Sequence, residues 1–204
     1  FGVVNQNLIY ISSGGGGDEK SEKHLKSLIR TVLEADKTAK LLVGYGPLYK
    51  GEICYSESRV IPFTSNGINK YFNGLDYAIS AAGYNTFEEL KAAQCPSLFY
   101  SLEKGMDDQA ERIIQSKNAN LCSYAQEKIN VALINEFRLS INTLNIALEH
   151  ADFDHGSAHA AGYLIKTALS KRSINISNEQ VDMSVNNLIE VRNKQLNIKL
   201  NKLA

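Results

Sequence analysis

The sequence predicts an α/β fold, a Rossmann-like parallel sheet with helices on both faces and a helical C-terminal extension. Three observations carry it. Short apolar runs recur through residues 8–122 and are separated by segments with helical periodicity. Several runs end in small residues that open the following helix, as strand-to-helix turns do. Beyond about residue 130 the strand signals stop and only helical patterns continue.

The first run, Leu8-Ile9-Tyr10-Ile11, ends in Ser12-Ser13 and four glycines, Gly14 to Gly17. A helical stretch then places Leu25, Leu28, Ile29, Val32 and Leu33 on one face. Lys40 to Gly44 reads as a second strand and Arg59 to Phe63 as a third. A short helix over Ile68 to Leu75 precedes a fourth strand, Asp76 to Ser80, and a helix follows from Thr86. Cys95-Pro96 introduces a fifth strand, Ser97 to Tyr100; Asp107 to Ser116 is helical, and Ala119 to Cys122 reads as a short sixth strand. Ile134 to Leu148 is a helix with Phe137, Ile141, Leu144 and Leu148 on one face. After a break at Asp152 to Gly156, another helix runs from Ala158 to Leu169. The expected organisation is a sheet domain over 1–130, helices packing on it over 131–172, and a helical or partly disordered tail over 173–204 with a loose stripe through Val181, Val185, Leu188 and Leu203.

Composition narrows the function. The chain has 204 residues, 44% hydrophobic and 22% charged, ordinary for a globular protein. Its 22 basic residues balance 22 acidic ones, so no electrostatic argument favours nucleic acid or an anionic membrane as partner. No apolar run approaches membrane-spanning length. Cys54, Cys95 and Cys122 are widely spaced and odd in number, which points to free thiols in a reducing compartment, the cytoplasm. The chain begins at Phe1 and enters a strand almost at once, as an excised piece would.

The segment Ser80-Ala81-Ala82-Gly83-Tyr84-Asn85-Thr86-Phe87-Glu88-Glu89 is the most informative. A small-residue turn between strand and helix lets a ligand approach the backbone and offers helix N–H groups to an anion. Thr86 is placed to cap the helix, and Glu89, three residues on, takes the capping-box position and can also reach a sugar diol. Gly14 to Gly17 suit a phosphate-facing turn, although no Gly-Lys-Ser/Thr follows and the GxGxxG pattern is incomplete. Asp18 and Glu19 would repel an anion held close by. The group His150, His155 and His159 lacks the spacing of a metal site, and Gly156 interrupts the helix that would align it; no metal is expected. A Ser-His-Asp hydrolase is disfavoured because no G-x-S-x-G elbow occurs.

Read together, the loops after strands one, three, four and five resemble the nucleotide-sugar-binding, C-terminal half of a GT-B glycosyltransferase of the MurG-like group. The likeness is strongest over Gly83 to Leu90 with Ala93-Gln94-Cys95-Pro96-Ser97-Leu98, and covers roughly residues 5–125. The resemblance implies a UDP-sugar donor, with Glu89 on the ribose hydroxyls and Phe63-Thr64 beside the uracil. It sets Gly83, Tyr84, Asn85 and Thr86, with Gly14, Gly15 and Gly16 opposite, against the diphosphate. Gln109, next to Asp107, would bind the sugar. The chain departs from the pattern at Ala110, where a second glutamine is common, and at Asp108, where a basic residue is.

The implied activity is inverting transfer of a hexosyl or N-acetylhexosaminyl group without a cofactor. Acceptor and catalytic base would come from an N-terminal domain or partner subunit. Two alternatives share the fold: a nucleotide-sugar hydrolase or epimerase, and a non-catalytic nucleotide-sugar-binding module.

Overall fold

The computed structural model describes residues 7–15, 19–53, 57–64, 67–102, 107–151 and 163–164. The chain divides into two compact units, Phe1–Asp152 and Phe153–Ala204. In the second, Tyr163 and Leu164 are helical. The rest of the helix expected over 158–169 and the tail stripe lie outside the described residues, as do Gly16, Gly17, Asp18, Cys54, His155, Gly156 and His159.

The first unit is built in the order β1 (Leu8–Ser12), α1 (Glu19–Ala35), β2 (Lys40–Gly44), β3 (Val60–Phe63), a 3-10 turn (Ile68–Gly74), β4 (Tyr77–Ala81), α2 (Tyr84–Ala92), β5 (Ser97–Tyr100), α3 (Gln109–Asn118), β6 (Ser123–Ala125) and α4 (Val131–His150). All five strand pairings are parallel, in the order β3-β2-β1-β4-β5-β6. This is the doubly wound arrangement, and its order reverses between β1 and β4.

Strand alternation sorts the core into two layers. Ile9, Ile11, Leu41, Val43, Tyr77, Ile79, Leu98 and Tyr100 pack with Leu25, Leu28, Ile29 and Val32 of α1 and Ile134, Phe137 and Leu144 of α4. Tyr10, Leu42, Ala78, Ala82 and Phe99 pack on the other face with Phe72, Phe87, Leu90 and Ile113. Every residue of β4 and β5 is buried, which is why both read in the sequence as unbroken runs. Cys95 and Cys122 are buried in the second layer, and burial pushes both thiols up to about 12. No helix among the described residues is long and apolar enough to cross a membrane.

Several element boundaries differ from the sequence reading. The sixth strand is Ser123–Ala125, not Ala119 to Cys122. Asn120, in the left-handed region at φ 57°, closes α3 instead, with Leu121 N–H donating to the Ser116 carbonyl and Asn120 N–H to that of Lys117. This double bond is a Schellman closure, and it consumes the residues that looked like strand. Gln94 (φ 53°) closes α2 in the same way, with Cys95 N–H on the Leu90 carbonyl and Gln94 N–H on that of Lys91. The third helix begins at Gln109 rather than Asp107, because the Asp108 carboxylate accepts from Glu111 N–H and acts as N-cap. The short helix before β4 is of the tighter 3-10 type, entered from Gly67 at φ 91°.

At the N-terminal edge of the sheet Asp36, 3% exposed, ties several elements together. Its carboxylate accepts from Asn7 Nδ2 (2.8 Å), Thr38 N–H (3.0 Å), Thr38 Oγ1 (2.9 Å) and Ala39 N–H (3.1 Å), and Arg138 of α4 lies 3.2 Å away. Burial alone would push this carboxyl up; the bonds from Asn7 and Thr38 and the Arg138 charge outweigh it and hold the group below the usual aspartate range. A lowered folded value means the stability is complete above the unfolded value of about 4 and drains as pH falls toward the folded one. Asp36→Asn should therefore destabilise the first unit by about 3 kcal/mol at pH 7, since it leaves Arg138 without its buried partner. Chemical denaturation at pH 7 and pH 3 checks this: the gap between native protein and variant should shrink at the lower pH.

Candidate functional site

Because the sheet is wholly parallel, every β-strand's C-terminal end opens on one edge. There lie the turn after β1 (Gly14-Gly15), Gly44-Tyr45-Gly46 after β2, Phe63-Thr64 after β3, Ala82-Gly83 after β4 and Ser101-Leu102 after β5. The first and fourth flank the point where strand order reverses. Ser12 is in register with Ser80, and a Cβ built on Gly14 would meet the Ala81 methyl at 3.9 Å.

The β1 turn is organised from below. Gly14 sits at φ 80°, in the region that favours glycine, and its N–H donates to Ser12 Oγ at 3.0 Å. The Ser12 carbonyl accepts from the buried Tyr100 hydroxyl at 2.7 Å, and the Gly15 carbonyl from Leu48 N–H at 3.0 Å. Gly46 presses against this turn: a Cβ there would overlap the Gly14 carbonyl and approach the Gly15 carbonyl carbon to 2.5 Å. Gly46 carried no signal in the sequence, because close approach to a distant backbone leaves no local pattern.

Gly15 and Gly83 differ from it. Neither has a positive φ, and a Cβ on either would meet nothing within 4 Å among the described residues. Among the described residues neither conformation nor packing calls for glycine at these two positions, and both border open space at the C-terminal edge of the sheet.

The helix after β4 corrects the sequence reading. Gly83 is the N-cap of α2, no side chain caps the helix, and Thr86 lies inside its first turn. Tyr84 and Asn85 have taken up helical geometry, so the start moves two residues toward the strand. Glu89 consequently falls outside the capping-box position. Its Oε1 accepts instead from Asn69 Nδ2 of the 3-10 turn at 3.1 Å. Burial raises the Glu89 carboxyl above its ordinary value, opposed by the Asn69 bond. Tyr84 and Asn85 are exposed, and the uncapped first-turn amides form a ready anion site at the sheet's edge.

Asp107 and Gln109 come together with a residue the sequence reading missed, Arg112. Gln109 is 2% exposed; its Oε1 accepts from Leu102 N–H (2.9 Å) and its Nε2 donates to Asp107 Oδ2 (2.8 Å). Arg112 Nη2 lies 2.8 Å from Asp107 Oδ1, and Nη1 donates to the Ala82 carbonyl. The guanidinium also sits over the Tyr84 ring at 5.4 Å. One knot thus joins the β5 loop to the turn carrying Gly83. The available signal was a cation near a helix N-terminus, where the dipole disfavours it unless an anion is near. Asp108 is spent on its own helix as N-cap. Phe63 meets Tyr71 edge-on at 5.8 Å, its carbonyl accepts from Tyr45 N–H, and Thr64 is exposed beside it.

A cavity of about 750 Å³ opens at the opposite, N-terminal edge, lined by Asn7, Asp76, Gln94, Arg138, Asn145 and Glu149 among others. Ligands of open parallel sheets bind outside the strand C-termini, so the size of this cavity does not make it the primary site. Among the described residues no group of three His, Cys, Asp or Glu side chains can hold a metal ion. His150 Nδ1 lies 2.7 Å from the Ile146 carbonyl of its own helix.

No protein-family model matches the chain, and no curated protein matches it in sequence. Solved structures do match in fold, glycosyltransferases among them. The glycotransferase of kitacinnamycin aligns at TM-score 0.58 and 9% identity over 70% of this chain and 37% of its own. The glycosyltransferase SnogD from Streptomyces nogalater aligns at 0.55 and 16%, over 82% and 45%. Spinosyn forosaminyltransferase SpnP aligns at 0.54 and 15%, over 79% and 44%. The chain spans less than half the length of each. At these identities the likeness is one of fold: a six-stranded, Rossmann-like α/β sheet.

The two kinds of glycine should separate on substitution. Gly46→Ala drives a methyl into backbone and should cost about 1–3 kcal/mol. Gly15→Ala, facing open space, should stay within about 0.5 kcal/mol of the native protein. Thermal unfolding of both variants checks the contrast.

Proposed function

We propose that this chain is the donor-binding half of a GT-B glycosyltransferase, related to the MurG-like group, that uses a UDP-sugar and transfers a hexosyl or N-acetylhexosaminyl unit with inversion. The observation that carries the reading is the crevice at the strand reversal: an uncapped helix N-terminus beside two glycines that border open space. A diphosphate needs just such a place, with N–H donors, a favourable dipole and room for backbone approach.

In this reading the α2 amides receive the diphosphate and stabilise the charge that builds on it as the glycosidic bond breaks. Glu89 accepts from the vicinal ribose hydroxyls, and Asn69 holds the carboxylate in place. Phe63 and Thr64 border the base. Arg112 acts through the backbone: by gripping Asp107 and the Ala82 carbonyl it fixes the turn that aims the amides. Gln109, buried and bonded to Leu102 N–H and Asp107, serves the sugar subsite by fixing the Asp107 carboxylate and the loop after β5. The acceptor and catalytic base belong to a second domain or subunit across the cleft, so turnover requires it.

Calorimetric titration with UDP, UDP-GlcNAc and GDP tests the reading. Saturable binding of the uridine ligands supports it. Silence up to millimolar concentration for all three rejects it, and hydrolysis of UDP-GlcNAc by this chain alone would favour the hydrolase alternative.

Glu89→Gln should keep the fold and the Asn69 contact while weakening UDP binding by about 1.5–3 kcal/mol, the worth of a charge-assisted hydrogen bond. Because burial raises the Glu89 carboxyl, UDP affinity of the native chain should begin to fall at a higher pH than an ordinary glutamate would give. The variant should lack that inflection in a pH series.

A further inference from the structure

The cavity of about 750 Å³ at the N-terminal edge of the sheet lies between the residues leading into β1 and β4 and the last turns of α2 and α4. Its wall is mainly polar, and the polar groups that are anchored there are used unevenly. Asn7 Nδ2 donates to the Asp36 carboxylate at 2.8 Å, and Gln94 Nε2 to the Leu148 carbonyl at 3.1 Å. Both partners can only accept, so each amide must give up its NH₂ to the protein and keeps an oxygen with no partner among the described residues. Asp76 is fixed in the same way: Oδ2 accepts from Leu8 N–H at 2.6 Å and the second oxygen is left over. Asp76 and Glu149 make no salt bridge among the described residues, whereas Arg138 of the same wall is held 3.2 Å from Asp36 and donates to the Ala35 carbonyl. Asp76, Gln94 and Glu149 are exposed and Asn7 is half-buried, so all four are open to a ligand.

The anchored amides thus spend their donors on the protein and leave acceptors to the cavity. We propose that it binds a small molecule carrying a primary ammonium group, either an amino sugar or an aliphatic polyamine. Asp76 and Glu149 supply two negative charges, and Asn7 Oδ1 and Gln94 Oε1 two neutral acceptors for the ammonium N–H groups. The closing turns of α2 and α4, which contribute Ala92, Asn145 and Glu149, carry the negative ends of their helix dipoles and favour a cation. The side chains of Asn142 and Asn145 make no hydrogen bond among the described residues and can serve hydroxyls, and Leu75 and Ile141 offer an apolar strip to a carbon skeleton. The volume is that of a small-molecule pocket and far exceeds what a bare ion fills. The cavity lies at the opposite edge of the sheet from the nucleotide crevice and shares no residue with it.

The titration needs no nucleotide, so its failure and that of the donor-site reading are separable. The full chain is titrated with glucosamine, with putrescine and, as the uncharged control, with glucose, at pH 7 and constant ionic strength. The side-chain amide signals of Asn142 and Asn145, assigned with Asn142→Ala and Asn145→Ala, are followed by NMR. The expected result is a saturable shift with at least one amine, weakened about tenfold in Asp76→Asn/Glu149→Gln, and weaker by about the same factor or absent with glucose. Asp76→Asn keeps an oxygen for Leu8 N–H, so the fold and UDP binding of that double variant should be unchanged. Tighter binding of glucosamine would identify an amino sugar as the ligand, and equal or tighter binding of putrescine a polyamine. The proposal is overturned if neither amine saturates, if sodium chloride reproduces the shift, if glucose binds as tightly as the amines, or if the double variant binds them as the native chain does.

Discussion

The hydrogen-bonded pairing of β1 with β4 is the constraint on which the rest of this structure depends. It joins the three strands of the first half of the sheet to the three of the second, and it is where the winding changes direction. Connections leaving neighbouring strands at that point diverge to opposite faces, α1 to one layer and α2 to the other. Divergence leaves a crevice with Gly14 on one wall and Gly83 on the other. Two loops far apart in sequence are therefore brought to the same edge of the sheet.

The opposite edge carries the mechanical load. Asp36 gathers the approach to β1, the end of α1, the start of β2 and, through Arg138, helix α4. Arg59 adds the approach to β3 by donating to the Asp36 and Lys37 carbonyls. Such dense polar anchoring at one edge leaves the other free to expose backbone. The uncapped start of α2 costs stability, and it is tolerated because Phe87 and Leu90 of that helix are fully buried and Arg112 grips the turn before it.

What could be read from the sequence follows from the range of each signal. β2 and β5 were legible to the residue because both are short apolar runs bounded by turn residues. The face of α1 was legible from its period. The ends of α2 and α3 were not: Gln94 and Asn120 close them in left-handed conformations that composition alone does not announce. The turns at the strand C-termini were legible because small residues after strands are a local pattern. Side-chain duties within them were less visible, since they depend on long-range partners: Glu89 on Asn69, Arg112 on Ala82, and Gly46 on the turn at Gly14.

The crowding around the end of β2 has an evolutionary consequence. A side chain at Gly44 would push on the Tyr10 phenol and one at Gly46 on the backbone of the neighbouring turn, so each substitution forces its surroundings to shift. Gly15 and Gly83 carry no such debt to the scaffold. Drift at the first pair is visible to selection through stability, whereas in the proposed donor site drift at the second would be visible through the ligand. If the proposed donor site holds, a lineage that changed its ligand would record the event at residues 15 and 83 rather than at 44 and 46.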